Sequence, residues 1–193
     1  MQVEMAERVA LLVGKQPILG PILAATLTEN GAVVLEAATP GAADAAIAQH
    51  HGLDCLVVFV PSVGSADFAA LSAGLIERLA TRSGRIVAIV PAAGLVPVRG
   101  QGASASESAS VIAQVRTLAM DLAPRGIAAN ALACGPIGET NFNLVSHTAL
   151  KRPGTAAEVA AAALFLLDPE NSYMTGQVLA VDGGWTAGFA RDF

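Results

Sequence analysis

The sequence predicts an α/β fold, a single domain built on a doubly wound parallel sheet of about six strands. Three observations predict it. Short apolar runs alternate with alanine-rich stretches of helical character along the chain. The apolar runs are continuous, as strands buried on both faces of a parallel sheet require. The 193 residues are 53% hydrophobic and only 14% charged, which suits one sizeable core and excludes a disordered chain.

The elements follow in order. Residues 9–13 read as a first strand and 20–29 as a helix. Asn30-Gly31 stops that helix, because Gly closes a C-terminus at low steric cost. Residues 32–35 are a second strand, and 41–49 a helix ending at His50-His51-Gly52. A third strand at 56–60 leads to a helix at 66–80, and a fourth strand lies at 85–90. The long helix at 104–122 repeats Val111, Val115, Leu118 and Leu122 at helical spacing and stops at Pro124-Arg125-Gly126. Residues 127–133 form a fifth strand, 156–167 a helix capped by Thr155, and 177–181 a last strand closed by Asp182-Gly183-Gly184. Strand alternating with helix implies right-handed crossovers and a Rossmann-like sheet.

Composition excludes several classes of function. A net charge of −5 and a pI near 5.1 argue against a nucleic-acid partner, which would want a basic face. Mean hydropathy is high at +0.56, yet every apolar run is short and bounded by charge, Gly or Pro, so no membrane-spanning helix is expected. The start, MQVEMAERVA, lacks the basic region of a secretory signal. Cys55 and Cys134 have no metal-ligand spacing and make no disulfide framework, so a cytoplasmic protein without a metal site is expected. The chain has one tyrosine, Tyr173, and two lysines, Lys15 and Lys151.

Two stretches, 83–137 and 149–186, resemble the short-chain dehydrogenase/reductase family. Ser83-Gly84-Arg85-Ile86-Val87 followed by Ala93-Gly94 is similar to a family strand and turn. Arg116-Thr117-Leu118 through Pro124-Arg125-Gly126-Ile127 is similar to the end of its catalytic helix, and Asn130 through Pro136 to its Asn-x-x-x-Pro-Gly segment. Arg152-Pro153-Gly154-Thr155, Tyr173-Met174-Thr175-Gly176-Gln177 and Val181-Asp182-Gly183-Gly184-Trp185 resemble its C-terminal end closely. With 9–31 and 53–60 the likeness covers most of the chain.

The resemblance implies hydride transfer between NAD(P) and a hydroxyl or carbonyl substrate. Active members use a Tyr-x-x-x-Lys pair and a strand-end Ser. A phenol needs a nearby ammonium to lower its pKa before it can exchange protons near neutral pH. On the family register, Tyr falls on Ser104, Lys on Ser108 and Ser on Pro91. None of the three can substitute. No catalytic residues are therefore expected, and no other register supplies the pair, since no lysine lies between Lys15 and Lys151.

The cofactor loop reads similarly. Where the family has Thr-Gly-x-x-x-Gly-x-Gly, this chain keeps Gly14 and Gly20 but has Ile18 at the middle glycine, where a β-branched side chain obstructs the pyrophosphate. Pro21 removes a helix N–H. Gly20 is expected to serve close packing of helix on sheet, and Lys15 to be solvated. The family acid after the second strand falls near Ala38, with Glu36 two residues early. Val58-Phe59-Val60-Pro61 replaces the family's Asn-Asn-Ala-Gly, placing Phe59 near the nicotinamide side. A vestigial site that binds no cofactor is expected.

Room for only one helix remains between the second and third strands, so the family's third strand, at the sheet edge, is expected to be missing together with a helix. The stretches 61–84 and 140–150 also look shortened. His50-His51 is expected to be a solvated helix end rather than a metal site. Ser104, Ser106, Ser108 and Ser110 with Glu107 are expected to satisfy N–H groups of the helix start, and Cys134 to be an inert buried thiol.

The expected function is that of a catalytically inactive subunit. It would join an active short-chain dehydrogenase/reductase chain in a hetero-oligomer, a heterotetramer, with NAD on the partner. The substrate class is a 3-hydroxyacyl-CoA or 3-oxoacyl thioester, for instance an aromatic acyl-CoA in degradation. The alternatives are a nucleotide- or acyl-CoA-sensing regulatory module, and an active oxidoreductase with unorthodox residues.

Overall fold

A computed structural model of the chain describes residues 3–60, 62–80, 83–138 and 142–188. Pro61 and Thr140, which bound two of the expected shortenings, lie outside the described residues. Six strands form one parallel sheet: β1 (Val9–Val13), β2 (Val33–Ala37), β3 (Cys55–Phe59), β4 (Arg85–Pro91), β5 (Ala128–Cys134) and β6 (Val178–Val181), in the order β2-β1-β3-β4-β5-β6. That is the doubly wound series without its outermost strand. Between Ala37 and Cys55 the chain makes only a 3-10 turn, Pro40–Ala42, and the five-residue helix α2, Ala43–Ile47, so among the described residues β2 is the outermost strand.

Burial explains the continuous apolar runs. Every side chain of β1 and β3 is buried, as are all but the last of β4 and β5. Alternate residues feed two cores on opposite faces. On one face Leu11, Leu56 and Ile86 pack under α2, α3 (Ser65–Ala80) and α4 (Gly102–Leu122). On the other, Leu12, Val57 and Val87 pack under α1 (Leu19–Glu29) and α6 (Ala156–Leu167). Helix α1 seats Leu19, Leu23 and Leu27, one residue per turn, against the sheet.

Two expectations need correction. The helix at 41–49 is split into the 3-10 turn and α2, which ends at Ile47. The stretch 61–84 does hold a full helix, since α3 runs 16 residues, and any shortening falls on the turn before it. By contrast, the described part of 140–150 holds only the four-residue α5, Phe142–Val145.

The C-terminal quarter is tied down by polar contacts. Asn130 on β5, 1% exposed, donates to the Met174 carbonyl and accepts from the Gln177 N–H, both at 3.0 Å. Asp182 accepts from the N–H groups of Gly184 and Thr186 and from the Thr186 hydroxyl. Gly135 passes so close to Asp182 that a Cβ would lie 2.7 Å from its Cα, which explains a glycine there. Thr155 caps α6 in a full capping box with Glu158. Arg152 grips the same carboxylate with two bonds of 2.7 and 3.1 Å.

Two outcomes follow from this packing. Leu23→Ala empties a fully buried site and is expected to cost about 2–5 kcal/mol in urea denaturation. The Arg152 hydrogen bonds, aided by the cap, pull the Glu158 carboxyl from 4.5 down to about 2. A depressed folded pKa stabilises above 4.5 and loses that contribution as pH falls through about 2. Glu158→Gln is therefore expected to lower Tm at neutral pH, and the gap from the unmodified chain should close on acidification over that window.

Candidate functional site

The sheet's topological switch point lies between β1 and β3, because the chain leaves β1 towards β2 and returns on the other side. Ligands of open parallel sheets sit beyond the carboxyl ends of the strands at such a point. A cavity of about 540 Å³ lies there. Its floor includes Leu12 and Gly14 at the end of β1, and its sides Gly20 and Pro21 on the first turn of α1. Glu36 and Ala38 face it from the β2 side, Lys15 from the loop, and Phe59 bounds it towards β3.

Local sequence explains the loop. Gly14 adopts φ +103, and a Cβ there would meet the Phe59 carbonyl and Val63 at 3.1 Å, so the turn requires glycine. Its N–H donates to the Ala37 carbonyl. The packing role expected for Gly20 is not found: a Cβ there would meet nothing within 4 Å. Because α1 begins at Leu19, Gly20 lies over the cavity while Leu19 and Leu23 make the contact with the sheet. Ile18 is 52% exposed and lies outside the cavity lining. Glu36, by contrast, reaches the cavity together with Ala37 and Ala38, where β2 ends.

Two N–H groups of the loop are engaged within the protein. The Lys15 N–H donates to the Ser62 hydroxyl at 2.6 Å. The Gly20 N–H donates to the Gln16 carbonyl at 2.8 Å, and Pro21 has none. A bridging pyrophosphate depends on such N–H groups.

The positions that align with the family's chemistry lie apart from this cavity. Pro91 ends β4 beside Cys134. Ser108 sits on the buried stripe of α4 with Val111, Ile112 and Val115 and is fully buried. Its hydroxyl donates to the Ser104 carbonyl at 2.8 Å, and a Cβ on Gly94 would lie 2.6 Å from the Ser108 Cβ. The serines of α4 do not cap its N–H groups as expected. Ser106 and Ser108 donate instead to carbonyls one turn back, a bond a helical hydroxyl reaches easily. Glu107 accepts from the Ser65 N–H and so holds the start of α3 against α4, a contact that sequence reasoning missed because it joins residues far apart in the chain.

The remaining candidates fall elsewhere. Tyr173 is fully exposed in the loop before β6, at the opposite end of the sheet from Ser104. Lys151 spends its ammonium on the Ser146 carbonyl at 2.9 Å. Burial pushes the Cys134 thiol up to about 12 and the Cys55 thiol likewise, helped by neighbouring Asp54, so neither offers a thiolate near neutral pH. The His50 carbonyl, not its ring, is used, accepting from Arg78 at 3.1 Å. No cluster of three or more metal-ligating side chains occurs among the described residues. No helix among them is long and apolar enough to cross a membrane.

The family model described as Enoyl-(Acyl carrier protein) reductase matches residues 65–186. The 3-oxoacyl-[acyl-carrier-protein] reductase FabG of Chlamydia pneumoniae is 38% identical over 120 residues, covering 57% of this chain and 48% of that protein. The inactive 2-(S)-hydroxypropyl-CoM dehydrogenase 2 of Xanthobacter autotrophicus is 33% identical over 147 residues, covering 68% of this chain and 62% of that protein. The chain spans about half the length of the first curated relatives it matches, 46–48%. The crystal structure of gox2181 superposes with a TM-score of 0.82 at 23% identity, over 97% of this chain and 98% of that one, which supports the fold. With the motifs at 83–137 and 149–186, these likenesses lead to one conclusion: the chain belongs to the short-chain dehydrogenase/reductase family.

Proposed function

We propose that this chain is a non-catalytic subunit of a hetero-oligomeric NAD-dependent dehydrogenase or reductase. Its partner is an active chain of the same family that carries NAD and acts on a 3-hydroxyacyl-CoA or 3-oxoacyl thioester. One observation carries the reading. At the position of the family lysine stands Ser108, buried, uncharged, and with its hydroxyl committed to the Ser104 carbonyl. A carbonyl reduction needs a proton donor poised at the substrate oxygen. Ser104 has no ammonium beside it, Pro91 has no hydroxyl, and Tyr173 stands at the far end of the sheet.

Two further features support the reading. The elements best matched to the family, α4, α6 and β6, are intact. Met120 on α4 and Leu150 near the C-terminal turn are exposed apolar side chains, 70% and 62% exposed, at which a subunit contact can be probed. A relative named as an inactive dehydrogenase, and others named as 3-oxoacyl-[acyl-carrier-protein] reductases, show the two traits separately in this neighbourhood of sequences.

The purified chain is expected to show no NAD-linked turnover with 3-oxoacyl thioesters. Turnover that disappears in Ser104→Ala would overturn the reading. Co-expressed with an active family member from the same genome, the chain is expected to appear in native mass spectrometry as a mixed oligomer. Met120→Lys, which puts a charge at the exposed methionine of α4, should reduce the mixed species. Observation of separate homomeric species alone counts against the subunit role.

A further inference from the structure

The outer edge of the sheet at β2 has no strand beside it among the described residues. We propose that two copies of this chain pair there, β2 against β2 in antiparallel register, so that their two sheets join into one. This goes beyond the subunit reading and stands without it.

The first support is the direction of the backbone. In a parallel ladder alternate residues turn both N–H and C=O to the same neighbouring strand. The Val33 N–H donates to the Arg8 carbonyl at 2.8 Å, and the Ala37 carbonyl accepts from the Gly14 N–H at 2.9 Å. Val33, Leu35 and Ala37 therefore turn their backbone groups to β1, with which the whole strand is in register. Val34 and Glu36 turn theirs the other way and have no backbone partner among the described residues. Their N–H donors and carbonyl acceptors form a template for another strand.

The second support is that this edge is undefended. Edge strands are commonly blunted by lysine, proline or a bulge. Val33–Ala37 holds no lysine and no proline, and its register with β1 is unbroken. Its apolar side chains stay partly open: Val33 is 42% exposed, and Val34 and Leu35 are half-buried.

The third support selects the occupant. With a twofold axis at Leu35, Val34 of each copy lies opposite Glu36 of the other, and both pairs exchange N–H···O bonds in each direction. Leu35 meets Leu35 at the axis, on the face where it already packs against the core, and Val33 lies opposite Ala37. An axis at Glu36 would set carboxylate against carboxylate, which is unfavourable. An axis at Val34 would close only one such pair within the strand. The Leu35 register is self-complementary, as an isologous contact must be. Pairing of β2 with β6, the outer strand on the other side of the sheet, would run head to tail and leave an edge open at each end.

Analytical ultracentrifugation of the full chain, with amide exchange followed residue by residue by NMR, tests the proposal. A reversible monomer–dimer equilibrium is expected, with a Kd on the order of 10–100 μM for so short a strand. Exchange at Val34 and Glu36 should slow at least about tenfold from monomer to dimer, while Leu35 and Ala37, bonded to β1, stay protected at every concentration. Val34→Pro removes one outward donor and leaves the ladder to β1 whole, so it should weaken the dimer at least about tenfold. Val34→Ala keeps that donor and should stay within about threefold. Circular dichroism establishes that both variants are folded, and the exchange measurement on the unmodified chain needs no variant. A chain still monomeric at about 500 μM overturns the proposal. So does a dimer in which Val34 and Glu36 exchange as fast as in the monomer, or one that folded Val34→Pro leaves intact. Every measurement uses the chain alone, so failure here and failure of the mixed-oligomer reading are told apart.

Discussion

A parallel sheet buried on both faces must be covered on both faces, and everything else in this molecule is arranged around that requirement. In β1, β3, β4 and β5 nearly every side chain is buried. Helices α1 and α6 cover one face and α2, α3 and α4 the other. Losing an outermost strand is tolerable under this constraint, because each inner strand keeps both neighbours. The cost is confined to β2, where Val33 is 42% exposed and Glu36 faces outward. The same constraint keeps α6 and β6, since removing either would uncover the strands of the centre.

Trimming at one edge and preservation at the other leave the two functional regions of the fold in different states. On the α4 side, a serine is buried in the helix stripe and a proline stands at the strand end. On the β1 side the crevice persists, because its walls are made by the strand ends themselves and by the first turn of α1. The turn before α3, pinned to Lys15 and to Glu107, separates the two regions.

Much of this was legible in the residues. The six strands, the order of elements and the Thr155 cap follow from runs and spacings of a few residues. So did the lack of a Tyr-x-x-x-Lys pair, which is a matter of counting. The failures were of another kind. Gly20 was read as a packing glycine because glycine at a helix start commonly has that role, whereas its Cβ position is open. The serines of α4 were read as caps, but a hydroxyl inside a helix reaches the carbonyl behind it more readily than an N–H ahead. Helix 41–49 reads as continuous because alanine spacing does not distinguish a 3-10 turn from an α-helix.

By itself the sequence determined the fold class, the strands and the identity of the residues at the family's catalytic positions, since these depend on local periodicity and on which amino acids are present. Only the tertiary structure decided whether the crevice is open, which of its N–H groups are engaged and where it ends. Those outcomes rest on contacts such as that between Lys15 and Ser62, 47 residues apart. Local pattern carries no information about a hydrogen bond that exists only once two strands have been placed side by side.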